Sequence, residues 1–478
     1  MVRSLLPRGR PIRGARDSSP RAGGRARGAR RSKSYERLTR GCIGHGRFSR
    51  QNRHFSGGTG GIGFRSRPYF RRGIAPPGQR EPPSPFQDDE RAARVMVAGR
   101  PFVVSRPRTI VAALSGHASP EGTARFRDRA VDARKLPTRH FREAPGNLAL
   151  SSIGLGTYIG PPDAPTDLAV EHAVTVCLTS GRVNVLDTAI NYRYQRAERS
   201  IGRALSHLID RDEVKREEVF VATKNGYFAP DAQSPTPPDR WIEDELIRPG
   251  ILDRADIVDD CHAMSPSYLA DQLERSRRNL GLRTIDLVYL HNAADAQLPV
   301  VGPAVFATRL ESAFRFYEKC RDEGRLRSYG LATWDCLRTR PNDPGFFALE
   351  HAVRLARKVG GEDHGFRFVQ FPFNVAMPEA ASLANQPVGG SRSTLFEAAG
   401  RLGVGCFTSV PLFQGQLARS GPKREGLSSA QTALQFARSA PGTIAPLVGQ
   451  KRSEHLSENL EIAARVPWDP EQFRQLVT

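Results

Sequence analysis

The stretch VNVLDTAINYRYQRAERSIGRAL, residues 183–205, decides how the chain folds. Its first four residues carry β-branched valine at two positions, which predicts a short strand. Further on, Ala197, Ile201 and Leu205 recur every four residues, which predicts an amphipathic helix. A strand that leads directly into a helix is the repeating unit of a parallel α/β fold.

The segment DTAINY joins this strand to its helix. It places Asp187 at the carboxyl end of the strand and Tyr192 five residues later. A carboxylate and a phenol at the mouth of a strand can carry out proton chemistry, although Asp and Thr there also serve as ordinary helix caps. Two further residues favour chemistry, because Lys224 and His291 each end a later predicted strand.

From residue 148 onward, short apolar runs alternate with helical patterns. Eight strands, each followed by a helix, within about 330 residues predict a (β/α)₈ TIM barrel of the α/β class. The predicted strands are residues 152–156, 183–186, 218–224, 284–292, 326–334, 366–374, 403–409 and 443–449. Because a TIM barrel places its chemistry at the carboxyl ends of its strands, the three strand-end residues are expected to converge.

Residues 225–265 interrupt this alternation. They are rich in Pro and Asp, exceed a usual βα loop, and contain one possible short helix at about residues 241–247. Such an insertion in a barrel lies over the active-site mouth, so we expect a loop that covers the substrate. Cys261 and His262 are adjacent within it, but no further ligands are near, and no metal site is predicted.

The motifs resemble those of the aldo-keto reductases. DTAINY followed by AERSIGRAL is similar to the second strand, active-site loop and helix of that family, and ATKNGY and DLVYLHN are similar to its third and fourth strand ends. The resemblance implies a catalytic tetrad of Asp187, Tyr192, Lys224 and His291. The alternative is that these are polar core residues satisfied by neighbours.

The tetrad has a mechanism that follows from its chemistry. Reducing a carbonyl requires a hydride on carbon and a proton on oxygen, and a free phenol with a pKa of about 10 is a poor acid at neutral pH. We expect the Lys224 ammonium to lower the pKa of Tyr192, and Asp187 to keep Lys224 charged and oriented. His291 would hydrogen-bond the substrate oxygen or relay a proton, while Tyr192 donates in reduction and accepts in oxidation.

The hydride must come from a cofactor. No GxGxxG motif follows an early strand, so a Rossmann domain is not indicated. The resemblance implies instead that NADP(H) lies across the barrel mouth. It implies that Gln370 and Thr333 contact the nicotinamide amide, that Phe373 stacks on the nicotinamide, and that Ser409 and Leu412 lie along the pyrophosphate.

The segment GQKRSEHLSEN is similar to the adenosine-site signature of the same family. The matching positions are Gly449, Lys451, His455, Glu458 and Asn459. Lys451 and Arg452 precede a helix N-terminus, where cations and amide donors can bind a 2′-phosphate, although Arg452 alone could be a solvated charge. We therefore expect NADP, as NADPH, in preference to NAD.

The charge of the chain is concentrated in its N-terminal part. Residues 1–140 contain 32 Lys and Arg against 9 Asp and Glu, whereas the remainder contains 39 against 41, so the net charge of +21 belongs to the first segment. Its Arg, Gly, Pro and Ser content leaves too little apolar surface to fold, and residues 1–135 are expected to be a disordered extension of a barrel at 136–478. It could bind nucleic acid, serve as a transit peptide, or reflect an over-extended reading frame with Met96 as a later start; we favour the last.

Other features exclude several classes of protein. There is no apolar run of about 18 residues and no secretory signal, and the six cysteines are scattered without CxxC spacing, which favours reduced thiols in the cytoplasm. The predicted function is an NAD(P)H-dependent oxidoreductase that interconverts a small-molecule aldehyde or ketone and its alcohol. The rivals are a cofactor-binding regulatory subunit of the same fold and a nucleic-acid-binding protein that acts through the basic tail. Substrate, reaction direction and oligomeric state stay open.

Overall fold

The computed structural model describes residues 113–477, together with two short strands, β1 (Val95–Val97) and β2 (Arg100–Phe102), that pair antiparallel. The other residues of 1–112, for which disorder is predicted, lie outside the described residues. Cys42 is one of them. The prediction is wrong for residues 120–134, which form helix α1 (Pro120–Arg134).

Helix α1 forms despite its many arginines because its ends and one face are well defined. The Ser119 side chain accepts a hydrogen bond from the Gly122 N–H, and the helix ends at Lys135 in the left-handed conformation. Phe126 and Ala130, four residues apart, pack with residues from distant parts of the chain. Ordered structure is therefore present before the predicted boundary at residue 136.

Eight parallel strands close into a barrel, which confirms the predicted fold. In order around the barrel they are β5 (Gly154–Gly156), β6 (Val185–Asp187), β7 (Phe220–Asn225), β8 (Ile285–His291), β9 (Leu326–Ala332), β10 (Phe366–Pro372), β13 (Gly405–Ser409) and β14 (Thr443–Val448). The barrel closes where Leu447 of β14 pairs with Gly154 of β5. Two hairpins stand outside it, β3 (Phe141–Ala144) with β4 (Leu148–Ser151), and β11 (Gln386–Val388) with β12 (Ser391–Ser393).

Helices surround the barrel. They are α2 (Ala164–Thr179), α3 (Arg196–Asp210), α5 (Pro266–Leu280), α6 (Ala293–Asp322), α7 (Leu349–Gly360), α8 (Glu379–Ser382), α9 (Leu395–Arg401), α10 (Gln416–Ser420), α11 (Ser429–Ser439), α12 (Ser453–Glu461) and α13 (Pro470–Val477). Helix α6 is kinked at Gly302, whose φ of 77° is non-helical. Within the described residues, no helix is long and apolar enough to cross a membrane.

Residues 226–265 separate β7 from α5 and contain a short helix, α4 (Pro238–Ile242), followed by a π-helical turn at Glu243–Ile247. This insertion has an apolar core of its own. This core contains the buried side chains of Phe228, Trp241, Leu246, Leu252 and Ala263, together with Tyr268 of α5. The insertion is therefore a packed structure rather than an open loop.

The bottom of the barrel is closed by the β3–β4 hairpin and by the chain that leads into α1. The Ala118 N–H donates to Asp286 Oδ1 at 2.6 Å, and Asp286 is itself paired with the buried Arg216 at 2.8 Å. Leu148 and Leu150 of the hairpin join the apolar cluster inside the barrel. Because this end is plugged, the opposite end, where the strands finish, is the one open to a ligand.

Candidate active site

Strand alternation brings three predicted catalytic residues to the barrel interior. On β6, Val185 belongs to the inner apolar cluster and Leu186 to the outer one, so Asp187 faces inward again. The same two-residue period turns Lys224 inward on β7, two residues after the interior Ala222. It also turns His291 inward on β8, two residues after the interior Tyr289. Three neighbouring strands thus present their final side chains to one space.

Asp187, Lys224 and Gln370 form one buried polar cluster. Lys224 Nζ donates to Asp187 Oδ1 at 2.6 Å and to the Thr188 carbonyl at 2.8 Å, and Gln370 Nε2 donates to Asp187 Oδ2 at 2.9 Å. Burial raises the pKa of Asp187 and lowers the pKa of Lys224, and each charge opposes the shift of the other. Gln370 therefore contacts a tetrad residue, a role that the resemblance did not imply.

Tyr192 lies beside this cluster. Its ring centre is 5.0 Å from Lys224 Nζ, 5.0 Å from the ring centre of Tyr158 and 5.9 Å from that of His291. The expectation that Lys224 lowers the pKa of Tyr192 is wrong for this structure. Burial raises that pKa well above 10, the charge of Asp187 adds to the rise, and Lys224 is already engaged by Asp187. Tyr192 is consequently a protonated phenol at neutral pH.

An unusual turn holds Tyr192 in place. Arg193, Tyr194 and Gln195 have φ values of 51°, 55° and 70°, a left-handed run that non-glycine residues rarely adopt. The buried Arg193 is anchored by Asp167 at 2.5 Å, and Gln195 Nε2 donates to the Ala229 carbonyl at 2.7 Å. Strained conformations of this kind persist where the surroundings determine them and cluster at functional sites.

His291 lies across the site from Lys224. Burial lowers the pKa of His291 well below 6.5, and the neighbouring Lys224 lowers it further, so the imidazole is neutral. Its buried Nδ1 has no hydrogen-bond partner in the described part of the chain. The Tyr227 ring, contributed by the insertion, meets it edge-on with ring centres 5.0 Å apart.

A cavity of about 600 Å³ opens onto these residues and continues toward the C-terminal segment. Most of the predicted site residues line it. They are Asp187, Tyr192, His291, Thr333, Gln370, Ser409, Leu412, Gly449, Lys451, His455, Glu458 and Asn459. Lys224 is buried behind Asp187 and reaches the site through its hydrogen bonds. The structure thus brings the predicted catalytic and cofactor residues around one space.

Phe373 does not line this cavity, and its predicted stacking on the nicotinamide is wrong. It is fully buried and packs against Phe396, Phe436 and Phe473, with ring centres 5.1, 5.4 and 6.4 Å away. The reason is strand parity: Gln370 faces the barrel interior, so Phe371 and Phe373 face the surrounding helices.

The far end of the cavity has features that fit a dinucleotide. Asn459 is 1% exposed, and neither its Oδ1 nor its Nδ2 has a partner in the described part of the chain, so its amide is available to a ligand. Lys451 and Arg452 line the same end, with Arg452 capping α12, and Lys451 Nζ donates to the Ile159 carbonyl at 2.9 Å. Paired cations near a helix N-terminus favour a phosphate.

Several cavity residues were not found from the sequence. Tyr158 and Trp334 follow the ends of β5 and β9, and Asn191 and Asn292 lie beside Tyr192 and His291 in the chain. Their position immediately after a barrel strand, or next to a tetrad residue, was the available signal. In this barrel, residues that follow the strands line the cavity as the strand-end residues do.

The loop after β13 was expected along a pyrophosphate, and it is conformationally unusual. Val410, Phe413 and Gln414 have φ values of 48°, 46° and 53°, and for a β-branched residue such as Val410 this is strained. The Asn374 side chain fixes it by donating to the Val410 carbonyl at 3.0 Å. Val410 and Gln414 line the cavity with Ser409 and Leu412.

Comparison with known proteins finds a partial match to one family. The model of the Aldo/keto reductase family matches residues 152–340, which include the whole tetrad. Human aldo-keto reductase family 1 member C4 is 28% identical over 203 residues, which is 40% of this chain and 50% of that protein. The NADH-specific methylglyoxal reductase of Escherichia coli (strain K12) is 26% identical over 193 residues, with the same shares. The chain thus spans about half the length of these curated relatives.

Solved structures are similar over a larger share of the chain but at lower identity. An aldo/keto reductase from Klebsiella pneumoniae, in complex with NADP and acetate, is 18% identical, with 70% of this chain and 94% of that chain covered and a TM-score of 0.47. The glycerol dehydrogenase of Gluconobacter oxydans is 17% identical, with 71% and 94% covered and a TM-score of 0.47. The family match and the curated relatives show that this chain is similar to the aldo-keto reductases over residues 152–340.

Proposed function

We propose that this chain is an NADP-dependent oxidoreductase that interconverts an uncharged carbonyl compound and its alcohol. The observation that carries the proposal is the convergence of Tyr192, His291 and the Asp187–Lys224 pair on one end of the cavity whose other end holds the unpartnered Asn459. A reduced nicotinamide, when bound, supplies the hydride that the protein itself cannot provide.

The side chains divide the remaining work between them. Tyr192, which is a protonated phenol at neutral pH, is the acid that gives a proton to the carbonyl oxygen in reduction. The phenolate that forms is stabilised by the Lys224 ammonium, which is 5.0 Å from the ring centre and held by Asp187. A neutral His291 can donate one N–H to the same oxygen and so orient the substrate.

The substrate end of the cavity favours an uncharged and partly apolar compound. Besides Tyr192 and His291, the cavity is lined by the aromatic rings of Tyr158 and Trp334 and by the amides of Asn191 and Asn292, none of which is charged. Charged lining residues such as Arg419, Lys451 and Arg452 lie in the C-terminal segment. Aromatic walls with a few polar groups are typical of sites for small organic ligands.

The choice of dinucleotide depends on Lys451 and Arg452. Similarity to the aldo-keto reductases does not decide it, because one curated relative is named NADH-specific. Two adjacent cations at the cavity edge would attract the 2′-phosphate that distinguishes NADP from NAD. We therefore expect NADPH to bind more tightly than NADH.

The experiment is a substrate panel. Purified protein is mixed with NADPH or NADH and with sugars, aromatic aldehydes or ketones, and the loss of reduced cofactor is followed by absorbance. We expect NADPH oxidation with an uncharged aromatic aldehyde or ketone and slower oxidation of NADH. Tight NADPH binding without oxidation by any carbonyl would favour the regulatory-subunit alternative instead.

A further inference from the structure

His262, a residue of the insertion, is fully buried beside the active site but lines no part of the cavity. Its Nε2 is 3.0 Å from the carbonyl oxygen of His291, and its Nδ1 is 3.0 Å from Nε2 of Gln297. Both ring nitrogens are therefore used in hydrogen bonds, which leaves neither for a metal.

The proton positions on this chain of groups can be deduced. Arg309 only donates, and its Nη1 lies 2.7 Å from Gln297 Oε1, which fixes the orientation of the Gln297 amide. Gln297 Nε2 must then donate to His262 Nδ1, and because burial lowers the pKa of His262 to about 4 the ring is neutral. The only remaining ring proton is on Nε2, where it is donated to the His291 carbonyl.

That carbonyl needs such a donor. His291 is the last residue of β8, and the next residue, Asn292, is left-handed with a φ of 50°. The neighbouring strand β7 has already ended at Asn225, and the next residue, Gly226, has a φ of 131°. A side chain at Gly226 would come within 2.6 Å of His262 Nε2. A buried carbonyl without a hydrogen-bond donor is unfavourable, so His262 replaces the missing strand partner.

In the part of the chain that the structure describes, no hydrogen bond holds the His291 side chain itself. Its Nδ1 has no partner in the described residues, and its ring is held by edge-on contacts with Tyr192 and Tyr227. The Tyr227 ring also meets His262 edge-on, with ring centres 5.2 Å apart. The hydrogen bond to the His291 carbonyl therefore comes from His262, a residue of the insertion.

We propose that His262 is a positioning residue for His291: through its hydrogen bond to the His291 carbonyl it sets the orientation of the imidazole at the substrate oxygen. Arg309 links this role to the insertion as a whole, because its Nη2 also donates to the Ala255 carbonyl at 3.1 Å. The kinetic consequence of this proposal rests on the proposed function, whereas the hydrogen-bond geometry does not.

The kinetic test uses three variants. His262→Phe keeps a ring against Tyr227 but removes the donor, and we expect kcat to fall about 10- to 100-fold with the Kd for NADPH unchanged. His262→Gln places an amide donor near the position of Nε2 and should recover most of the loss. His207→Gln, which changes an exposed histidine on α3, is the matched control and should leave kcat unchanged.

A double-mutant cycle separates positioning from a general loss of structure. If His262 acts through His291, then His262→Phe added to His291→Gln should lower kcat no further. An unchanged kcat in His262→Phe, or the same loss in both backgrounds, would overturn the proposal.

An NMR measurement keeps the proposal testable if no carbonyl substrate is turned over. The imidazole resonances of His291 should move in His262→Phe and return toward the wild-type positions in His262→Gln. If His262→Phe fails to fold, His262→Gln and Gln297→Leu are compared in its place, and only the second should move those resonances far. Resonances that stay in place would overturn the proposal, whereas an inactive wild type with shifted resonances would overturn only the proposed function.

Discussion

Lys224 Nζ lies 5.0 Å from the centre of the Tyr192 ring. The same ammonium is bound to Asp187 at 2.6 Å, so one cation is shared between a buried carboxylate and the face of a phenol. In this state the pKa of Tyr192 is raised, first by burial and then by the Asp187 carboxylate. The phenol keeps its proton until a substrate oxygen accepts it, and the ammonium is already in place when the phenolate forms.

Removing this ammonium should affect both activity and stability. Lys224→Met would leave the Asp187 carboxylate buried with only Gln370 as a side-chain donor, and we expect unfolding to become easier by roughly 3–5 kcal/mol. Turnover should fall by about 10²- to 10⁴-fold, because the phenolate loses its stabilising charge. Denaturant unfolding and NADPH oxidation measure the two effects. Lys215→Met, at a half-exposed ion pair, is the control, and equal losses in both variants would contradict the assignment.

Changing Lys451 should separate the two dinucleotides. Lys451→Ala removes a cation from the proposed 2′-phosphate site, so the Kd for NADPH should rise about 10- to 100-fold while that for NADH changes little. Fluorescence titration of both dinucleotides measures this. Arg452→Ala, compared in parallel, shows whether the neighbouring exposed arginine contributes or is only a solvated charge. Equal loss of NADPH and NADH binding in Lys451→Ala would count against the phosphate role.

Asn459 should matter to ligand binding and not to folding. Its amide is buried without a partner, so an apolar side chain of similar size in Asn459→Leu should leave the melting temperature unchanged or raise it. The Kd of both dinucleotides should rise about tenfold, because the proposed hydrogen bonds to the adenosine are lost. Glu454→Gln, on the exposed side of the same helix, is the control. A lower melting temperature with unchanged Kd would mean that Asn459 is structural.

His140 should make the fold acid-sensitive. It is fully buried, its Nε2 donates to the Arg182 carbonyl, and its Nδ1 faces the buried guanidinium of Arg438, so its pKa is lowered from 6.5 to about 3. Between these two values only the unfolded chain binds the proton, so the free energy of unfolding should fall as the pH falls, by up to about 1.4 kcal/mol per pH unit. Below the folded pKa this contribution levels off.

The measurement compares urea unfolding of the wild type and His140→Gln across this window. The variant cannot take up that proton, so its stability should depend less steeply on pH. His262, whose pKa is lowered to about 4, contributes equally to both proteins and cancels in the difference. Parallel curves would show that His140 is protonated in the folded protein as readily as in the unfolded one.

The convergence of three strand-end residues could be predicted because two local rules sufficed. A two-residue strand period fixes which side of the barrel a side chain faces, and the carboxyl ends of parallel strands meet at one mouth. Asp187, Lys224 and His291 needed nothing more. The same two-residue period, counted from the inward-facing Gln370, places Phe371 and Phe373 on the outer face of the barrel. The motif match had instead placed Phe373 in the site.

What the sequence could not reveal depends on distant partners. Helix α1 is stabilised by Phe126 and Ala130 against Phe141 and Ala463, and no local pattern reports a contact across more than 300 residues. The Arg-rich composition of residues 120–134 therefore suggested disorder. The raised pKa of Tyr192 was missed for a similar reason, because burial and the competing Asp187 carboxylate are properties of the folded site.

The most direct test of the account is the Tyr192→Phe variant, assayed for carbonyl-dependent NADPH oxidation and, separately, for NADPH binding. Loss of the phenol oxygen should reduce turnover by at least about 10²-fold while the Kd for NADPH stays near its wild-type value, because the ring still fills its place beside Tyr158 and His291. Full turnover in Tyr192→Phe would show that the proton comes from elsewhere and would contradict the central claim.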